Sequence, residues 1–296
     1  MKTTPSHPPT FPKIINYLRT TITTGTAGEK ENIMQTLLKQ AMEASLAGAR
    51  EIMDVYENSD FQVQTKDDNS PLTIADLRAH NAIKDLLEKT GIPILSEEGT
   101  DIPFAERSGW VRFWLVDPLD GTKEFIKRNG EFTVNVALIE KGSPVLGVVY
   151  APVLNQIYYG DLEDGAFMGK EVTAAETLNA IPGKSVKLPV AYERETFNVV
   201  ASKSHLNQET KDFIADIEKE SDKPVDTVSI GSSLKLCLVA EGKADIYPRF
   251  GPTMEWDTGA GHAVVRAAGK KVFQADTDHE LQYNKENLLN PYFVVK

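Results

Sequence analysis

The sequence contains very little cysteine, few histidines and no long apolar run, and each shortage argues against a class of protein. The single cysteine, Cys237, excludes an intrachain disulfide and a metal cluster built on several cysteines, and it suits a reducing compartment. The five histidines show no His-Glu-x-x-His motif or other zinc spacing, which argues against a zinc hydrolase. No apolar run approaches the roughly 20 residues of a membrane-spanning helix. We therefore expect a cytoplasmic protein without a transmembrane segment.

Positive charge is also scarce. The chain has 32 Lys and Arg residues against 43 Asp and Glu residues, a net charge of −11. A general nucleic-acid-binding protein carries a basic surface that meets the phosphates, so this balance argues against nucleic acid as a partner. A small anionic ligand would need a local source of positive charge.

The rest of the composition is that of a globular protein. Hydrophobic residues make up 41% of 296 residues, enough for a core in one large or two smaller domains. Residues 1–30 are rich in Thr and Pro, and we expect them to form a flexible extension. A polar stretch near 170–195 suggests a domain boundary at about 170–180.

Hydrophobic periodicity predicts blocks of helices and strands. Helical spacing over 32–57 and 73–89 predicts two helices, and an apolar strand over 111–116 is expected to end at Asp117-Pro118. Further strands are predicted at 93–96, 132–139, 145–150, 156–160, 197–202, 225–230 and 245–247, and further helices at 208–219, 233–241 and 257–268. The strands between 132 and 160 should be antiparallel, because no helix-length crossover separates them. The predicted fold class is α+β with layered helices and sheets.

The segment 114–122, Trp-Leu-Val-Asp-Pro-Leu-Asp-Gly-Thr, carries the clearest chemical signal. A buried strand delivers Asp117, Asp120 follows three residues later, and Gly121 permits a tight turn before Thr122. Two carboxylates with a main-chain carbonyl between them form a hard-oxygen site suited to Mg²⁺. Spacing by itself favours a Pro-Asp-Gly turn with solvated acids, because turns of this composition are common.

Other acids follow strands or begin helices. Glu97 and Glu98 end a short strand, where adjacent side chains point to opposite faces, so at most one faces a shared site. Asp76 and Asp257 lie in first helical turns, where a carboxylate also complements the helix dipole. Taken together, these acids are what a multinuclear metal site would need.

A second candidate feature begins a helix further along the chain. Gly231-Ser232-Ser233 could cradle a phosphate through main-chain N–H groups, with Lys235 as countercharge, or it could form an ordinary helix N-cap.

Several motifs, in order from about residue 32 to the carboxyl end, resemble one family. They are Ser96-Glu97-Glu98, residues 113–126, 128–135, 230–235 and 247–253, and Trp256-Asp257. The pattern is similar to that of the metal-dependent, lithium-sensitive inositol monophosphatase superfamily, and within it to the CysQ-type 3′(2′),5′-bisphosphate nucleotidases. The resemblance implies a layered α/β/α/β sandwich of the inositol monophosphatase and fructose bisphosphatase type. It further implies a metal-binding catalytic lobe over 31–175 and a substrate-binding lobe over 176–296.

The resemblance also implies roles for individual residues. Two or three Mg²⁺ ions would be bound by Glu97, Asp117, the carbonyl of Leu119, Asp120 and Asp257. The catalytic pair that orients and deprotonates the attacking water would be Asp76 and Thr122. The residues implied to contact the substrate are Glu97, Leu119, Asp120, Gly121, Thr122, Ser202, His205, Gly231, Lys235 and Asp257.

The implied reaction is hydrolysis of adenosine 3′,5′-bisphosphate to AMP and phosphate, with 3′-phosphoadenylyl sulfate as a second substrate and a link to sulfur metabolism. An inositol monophosphatase or a sugar bisphosphatase of the same fold would share the metal site, and a metal-binding protein without catalysis would lack a need for Asp76 and Thr122. Relatives of this type are cytoplasmic, some of them peripheral at the inner membrane. The oligomeric state stays open.

Overall fold

The computed structural model describes residues 27–58, 64–65, 71–201 and 206–296. The strands are β1 (Gln64–Thr65), β2 (Pro71–Leu72), β3 (Ile94–Ser96), β4 (Arg112–Asp120), β5 (Thr133–Glu140), β6 (Ser143–Ala151), β7 (Gln156–Asp161), β8 (Gly165–Lys170), β9 (Ser185–Lys187), β10 (Phe197–Val200), β11 (Val225–Val228), β12 (Tyr247–Arg249), β13 (Val272–Gln274) and β14 (Phe293–Val295). The α-helices are α1 (Ala27–Asn58), α2 (Ile74–Leu87), α3 (Phe104–Arg107), α4 (Thr122–Ile126), α5 (Gln208–Glu220), α6 (Leu234–Glu241) and α7 (Glu255–Ala267).

A seven-stranded sheet in the order β3-β4-β5-β6-β7-β8-β9 forms the centre of the molecule. Strand β3 runs parallel to β4, and the later neighbours pair antiparallel. The antiparallel arrangement predicted for the strands between 132 and 160 is therefore confirmed. Strands β5 and β6 are buried almost throughout, because both faces of the sheet are covered, and this explains their nearly continuous apolar sequence.

The elements form four layers. Helices α1 and α2 pack on one face of the sheet, in a core that includes Leu37, Ile83 and Val148. Helices α6 and α7 cover the other face, and the small sheet β12-β14-β13 lies in the same second core through residues such as Val272 and Phe293. The predicted α+β class and its layered order are thus confirmed. No helix in the described ranges is long and apolar enough to cross a membrane.

Helix α2 shows how local sequence places a functional side chain. The Thr73 side chain accepts a hydrogen bond from the Ala75 N–H, and the Asp76 carboxylate accepts one from the Thr73 N–H at 2.8 Å. This reciprocal capping box fixes the first turn of the helix and therefore the orientation of Asp76.

Strand β4 does not end at Asp117-Pro118, contrary to the sequence prediction. Asp117 pairs with Asn135 and Asp120 pairs with Thr133, so two residues of β4 lie opposite one residue of β5. This β-bulge accommodates Pro118, which has no N–H to donate to the neighbouring strand, and β4 continues to Asp120. The bulge brings both acids of the segment to one edge of the sheet.

Other boundaries also differ from the prediction. Helix α7 begins at Glu255 rather than Asp257, and strands β8, β9, β13 and β14 fall where no strand was predicted. Strands β9, β13 and β14 have only three residues each, so their formation depends on a neighbouring strand rather than on a strong local pattern. Of the expected extension over 1–30, residues 1–26 lie outside the described residues.

Candidate metal centre and substrate cavity

Three carboxylates from distant parts of the chain meet at one edge of the central sheet. Oxygen atoms of Glu97, Asp117 and Asp257 all lie within 4.8 Å of one another. Glu97 follows β3 and its N–H donates to the Val116 carbonyl, whereas Asp117 lies on β4. Asp257 lies in the first turn of α7, where its carboxylate accepts the Met254 N–H at 2.8 Å.

The electrostatics of this cluster favour a bound cation. Burial, followed by the charges of Glu97, Asp120 and Asp257, raises the pKa of Asp117 well above its usual range. Burial and then the Asp120 carboxylate raise the pKa of Asp257 to about 8. Without a cation, Asp257 therefore retains its proton near neutral pH. Hard oxygen donors at this spacing fit a divalent cation such as Mg²⁺, which would remove the repulsion that raises both pKa values.

Asp120 lies beside the three acids, and its carboxylate is held by the protein on one oxygen. Its Oδ2 accepts hydrogen bonds from the Ser233 N–H at 2.6 Å and from the Asn135 side-chain amide at 3.3 Å. Its charge contributes to the raised pKa of both Asp117 and Asp257. The structure thus brings four of the predicted metal-binding acids together.

The predicted catalytic pair is also in contact. The Thr122 hydroxyl lies 3.2 Å from Asp76 Oδ1 and 3.3 Å from the Leu119 carbonyl oxygen, so it has two acceptors for one hydrogen. Asp76 is 1% exposed, and its Oδ2 is already bound by Thr73, which leaves Oδ1 directed at Thr122. Gly121 adopts φ 93°, the left-handed conformation that lets the chain turn from β4 into α4.

A cavity of about 390 Å³ opens beside the acids. Its lining includes Asp120, Gly121, Asp257, Gly231 and Lys235. Burial lowers the pKa of Lys235, whose ammonium group donates to the Ser232 carbonyl at 3.2 Å. A Cβ at Gly231 would lie 2.6 Å from the Glu131 carbonyl oxygen, so only glycine permits this close approach of two cavity walls.

A second cavity of about 630 Å³ shares Lys235 and Arg249 with the first. Lys123 supplies another cation to its lining, and Phe250 and Tyr292 supply aromatic walls. The combination of cations and aromatic surface suits an anionic ligand with a planar ring. Arg249 lies in one of the motifs that resemble the family, but the sequence by itself indicates no role for it.

Two predicted substrate residues, Ser202 and His205, lie outside the described residues. Conversely, the sequence by itself gives no role to Asn135, and it offers Ser232 and Ser233 only as part of a phosphate cradle or a helix N-cap. Ser232 lines the first cavity with φ 47° and a buried hydroxyl for which no hydrogen-bond partner is found in the described part of the chain. The sequence signal for Asn135 is its place in a motif that resembles the family, whereas Ser232 and Ser233 are also indicated by the helix start at 231–233.

Residues 231–233 precede α6, where the sequence allowed either a phosphate cradle or an ordinary helix N-cap. The Ser233 side chain makes no capping hydrogen bond to α6; its hydroxyl and its N–H instead lie within hydrogen-bond distance of Asp120 Oδ2. Ser233 therefore occupies the N-cap position of α6 without capping the helix through its side chain, because the nearby Asp120 carboxylate is a charged acceptor that binds both groups of the serine.

Comparisons with known proteins agree on one family. The chain matches the inositol monophosphatase family over residues 33–292. A relative from Shigella flexneri, named 3'(2'),5'-bisphosphate nucleotidase CysQ, is 47% identical over 264 residues, which cover 88% of this chain and 99% of the relative. A relative of the same name from Escherichia coli (strain K12) is 46% identical with the same coverage.

Solved structures show the same relationship. The crystal structure of CysQ from Bacteroides thetaiotaomicron, described as a bacterial member of the inositol monophosphatase family, is 51% identical and superposes with a TM-score of 0.81 over 88% of this chain and 97% of that one. The suhB protein of Bartonella henselae, 23% identical with a TM-score of 0.64, covers 86% of this chain and 93% of its own and shows the shared fold. The family match, the identities and the superposed fold establish that this chain belongs to the inositol monophosphatase family.

Proposed function

We propose that the chain is a Mg²⁺-dependent phosphomonoesterase that hydrolyses adenosine 3′,5′-bisphosphate to AMP and phosphate. The observations that carry this proposal are the contact between Asp76 and Thr122, which follows Asp120 by two residues, and the cluster of Glu97, Asp117 and Asp257. Asp120 and Asp257 line a cavity that also contains the cationic side chains of Lys235 and Arg249. The name of the relatives, 3'(2'),5'-bisphosphate nucleotidase, supports the nucleotide as substrate. We extend the proposal to 3′-phosphoadenylyl sulfate as a second substrate and to a role in sulfur assimilation in the cytoplasm.

The acid cluster would hold two or three Mg²⁺ ions through Glu97, Asp117, Asp120, Asp257 and the Leu119 carbonyl. Bound Mg²⁺ supplies neutralisation of the phosphate charge, a lower pKa for bound water and stabilisation of the leaving alkoxide. The raised pKa values of Asp117 and Asp257 support this assignment, because two such carboxylates become fully ionised near neutral pH only with a positive partner.

Thr122 and Asp76 would orient the attacking water. If the Thr122 hydroxyl donates its hydrogen to Asp76 Oδ1, 3.2 Å away, the lone pairs of Thr122 Oγ1 accept a hydrogen from the water. The water oxygen then presents a lone pair to phosphorus, opposite the leaving 3′ oxygen, and its proton passes toward Asp76 through Thr122. The Gly121 and Thr122 N–H groups are proposed to hold the scissile phosphate.

The two cavities would bind different parts of the substrate. We place the reacting 3′-phosphate at the acids and the second phosphate near Lys235 and Arg249, which both cavities share. Ring stacking on Phe250 or Tyr292 would hold the adenine. Ser202 and His205 keep their proposed contacts with the nucleotide, and the lobes over 31–175 and 176–296 remain our proposed division of metal binding and substrate binding.

A substrate panel tests the assignment. Phosphate release is measured from adenosine 3′,5′-bisphosphate, inositol 1-phosphate and fructose 1,6-bisphosphate, with Mg²⁺ and with added Li⁺. We expect the nucleotide to have the highest kcat/KM, with inhibition by Li⁺. Equal or better turnover of inositol 1-phosphate would favour an inositol monophosphatase, and no turnover of any substrate would favour a protein that binds metal without catalysis.

Lysine variants then test the placement of the second phosphate. Lys235→Ala should raise KM for the nucleotide more than for inositol 1-phosphate, because only the nucleotide carries a second phosphate that reaches this side chain. Lys39→Ala, which removes an exposed lysine on α1, is the matched control and should change neither KM. An unchanged substrate preference in Lys235→Ala would remove this lysine from the specificity pocket.

A further inference from the structure

The Asp120 carboxylate accepts its hydrogen bonds from the protein on one oxygen, Oδ2. Three hydrogen-bond donors converge on Oδ2: the Ser233 N–H at 2.6 Å, the Ser233 hydroxyl at 2.8 Å and the Asn135 side-chain amide at 3.3 Å. The two donors from Ser233 are the shortest of these, and one of them is a main-chain group with a fixed direction. A carboxylate held in this way on one oxygen has its rotation about the Cβ–Cγ bond restricted.

Ser233 lies at the junction of the elements that build the site. It is 2% exposed, and its hydroxyl lies 2.6 Å from the Asp257 carbonyl oxygen as well as 2.8 Å from Asp120 Oδ2. The single hydroxyl hydrogen is therefore shared between a residue at the end of β4 and a residue in the first turn of α7. Ser233 also belongs to the 229–233 segment of the cavity lining, next to Ser232.

Asn135 completes the arrangement from β5. It is 1% exposed, its side-chain amide donates to Ser233 Oγ at 2.9 Å, and its carbonyl oxygen accepts the Thr133 hydroxyl at 3.0 Å. The Thr133 bond orients the amide group so that the nitrogen faces Ser233 and Asp120. Ser233 Oγ thus accepts one hydrogen from Asn135 while it donates its own.

From this geometry we propose that Ser233 and Asn135 are positioning residues that preorganise Asp120 for the metal centre. They fix which Asp120 oxygen faces the protein and, through the Asp257 carbonyl, hold α7 in register with β4. Neither side chain has to touch substrate or cation for this role. The inference rests on the proposed metal centre and adds to it the residues that set the cation affinity of the substrate-free protein.

The first test is direct titration of the metal-free protein with Mn²⁺ by calorimetry, in the absence of substrate. We expect Ser233→Ala and Asn135→Ala each to weaken binding by about 10- to 100-fold, the usual loss when a residue that orients a metal ligand is removed. Ser45→Ala is the matched control: Ser45 is fully buried, and its hydroxyl donates to the Ala41 carbonyl within α1. It should bind Mn²⁺ as the wild type does. Circular dichroism confirms that each variant is folded.

The double variant separates positioning from a general loss of stability. Because Ser233 and Asn135 act on the same Asp120 oxygen and on each other, their effects on Mn²⁺ affinity should be clearly less than additive. Folded variants that bind Mn²⁺ as tightly as the wild type, or a Ser45→Ala variant with an equal loss, would overturn the proposed positioning role. Failure of the wild type itself to bind Mn²⁺ would instead overturn the metal centre, so the two ideas fail separately.

Discussion

The raised pKa of Asp257 leads to a pH dependence that is opposite to that of an ordinary salt-bridged acid. The pKa of an Asp in an unfolded chain is about 3.9, whereas burial and the Asp120 carboxylate raise the pKa of Asp257 in the folded protein to about 8. Between these values the folded, metal-free protein holds a proton that the unfolded chain has lost. Stability is therefore fully present below the unfolded pKa and falls as pH rises toward the folded pKa.

The size of the change in the free energy of unfolding follows from the one extra proton that the folded protein binds. Each pH unit over which the folded protein binds one extra proton lowers the free energy of unfolding by about 1.4 kcal/mol. From about pH 5 to about pH 7, Asp257 therefore removes about 3 kcal/mol, which corresponds to a decrease in Tm of about 5–10 °C. Asp117, whose pKa is also raised, acts in the same direction.

The assay is thermal unfolding of protein treated with EDTA, compared between wild type and Asp257→Asn across this pH range. The asparagine carries no charge, and its carbonyl can still accept the Met254 N–H that now binds Asp257. Between about pH 5 and about pH 7, we expect the free energy of unfolding of the variant to fall by about 3 kcal/mol less than that of the wild type. Asp85→Asn, at an exposed position on α2, should keep the wild-type slope.

Added Mg²⁺ provides the second arm of the same experiment. A cation binds the ionised carboxylates, so it should raise the Tm of the wild type more at about pH 7 than at about pH 5, by the linkage between protons and metal. The same pH slope for wild type and Asp257→Asn without metal would refute the reasoning, since the extra proton would then reside elsewhere.

Two glycine substitutions give further predictions. Gly147→Ala would place a Cβ 2.4 Å from the Ala260 carbonyl oxygen, so the free energy of unfolding in urea should fall by about 1–3 kcal/mol, whereas Gly109→Ala, with nothing within 4 Å, should leave it unchanged. Equal midpoints for the two variants would show that α7 does not pack this closely on β6. Gly231→Ala would place a Cβ 2.6 Å from the Glu131 carbonyl oxygen and displace a cavity wall, so kcat/KM for the nucleotide should fall by up to about 100-fold. Wild-type kinetics in this variant would contradict the close approach.

Part of the acid cluster could be predicted from the sequence, because Glu97 follows a short strand, Asp257 lies in the first turn of a helix and Asp117 ends an apolar run, although β4 continues past it. The structure places Glu97, Asp117 and Asp257 within 4.8 Å and brings Thr122 to Asp76, while their roles in metal binding and catalysis stay predictions. The point at which an apolar run gives way to an acid is visible in the local pattern, so the distant packing is not needed to identify it.

The contacts that hold those acids could not be predicted in the same way. Asn135 and Ser233 are 98 residues apart, and neither periodicity nor turn chemistry indicates that a strand residue will donate to a residue at a helix start. The extension of β4 beyond Pro118 has the same origin, because a bulge requires the partner strand β5 that accommodates it. Local rules describe one segment, whereas these features depend on two.

Identification of the nucleotide product tests the proposed reaction most directly. Adenosine 3′,5′-bisphosphate is incubated with the Mg²⁺-loaded enzyme, and the product is separated from authentic adenosine 5′-monophosphate and adenosine 3′-monophosphate by chromatography. We expect one equivalent of phosphate together with adenosine 5′-monophosphate. A folded Asp120→Asn variant should release no phosphate. Formation of the 3′-monophosphate, or undiminished release by Asp120→Asn, would contradict the placement of the 3′-phosphate at the acid cluster.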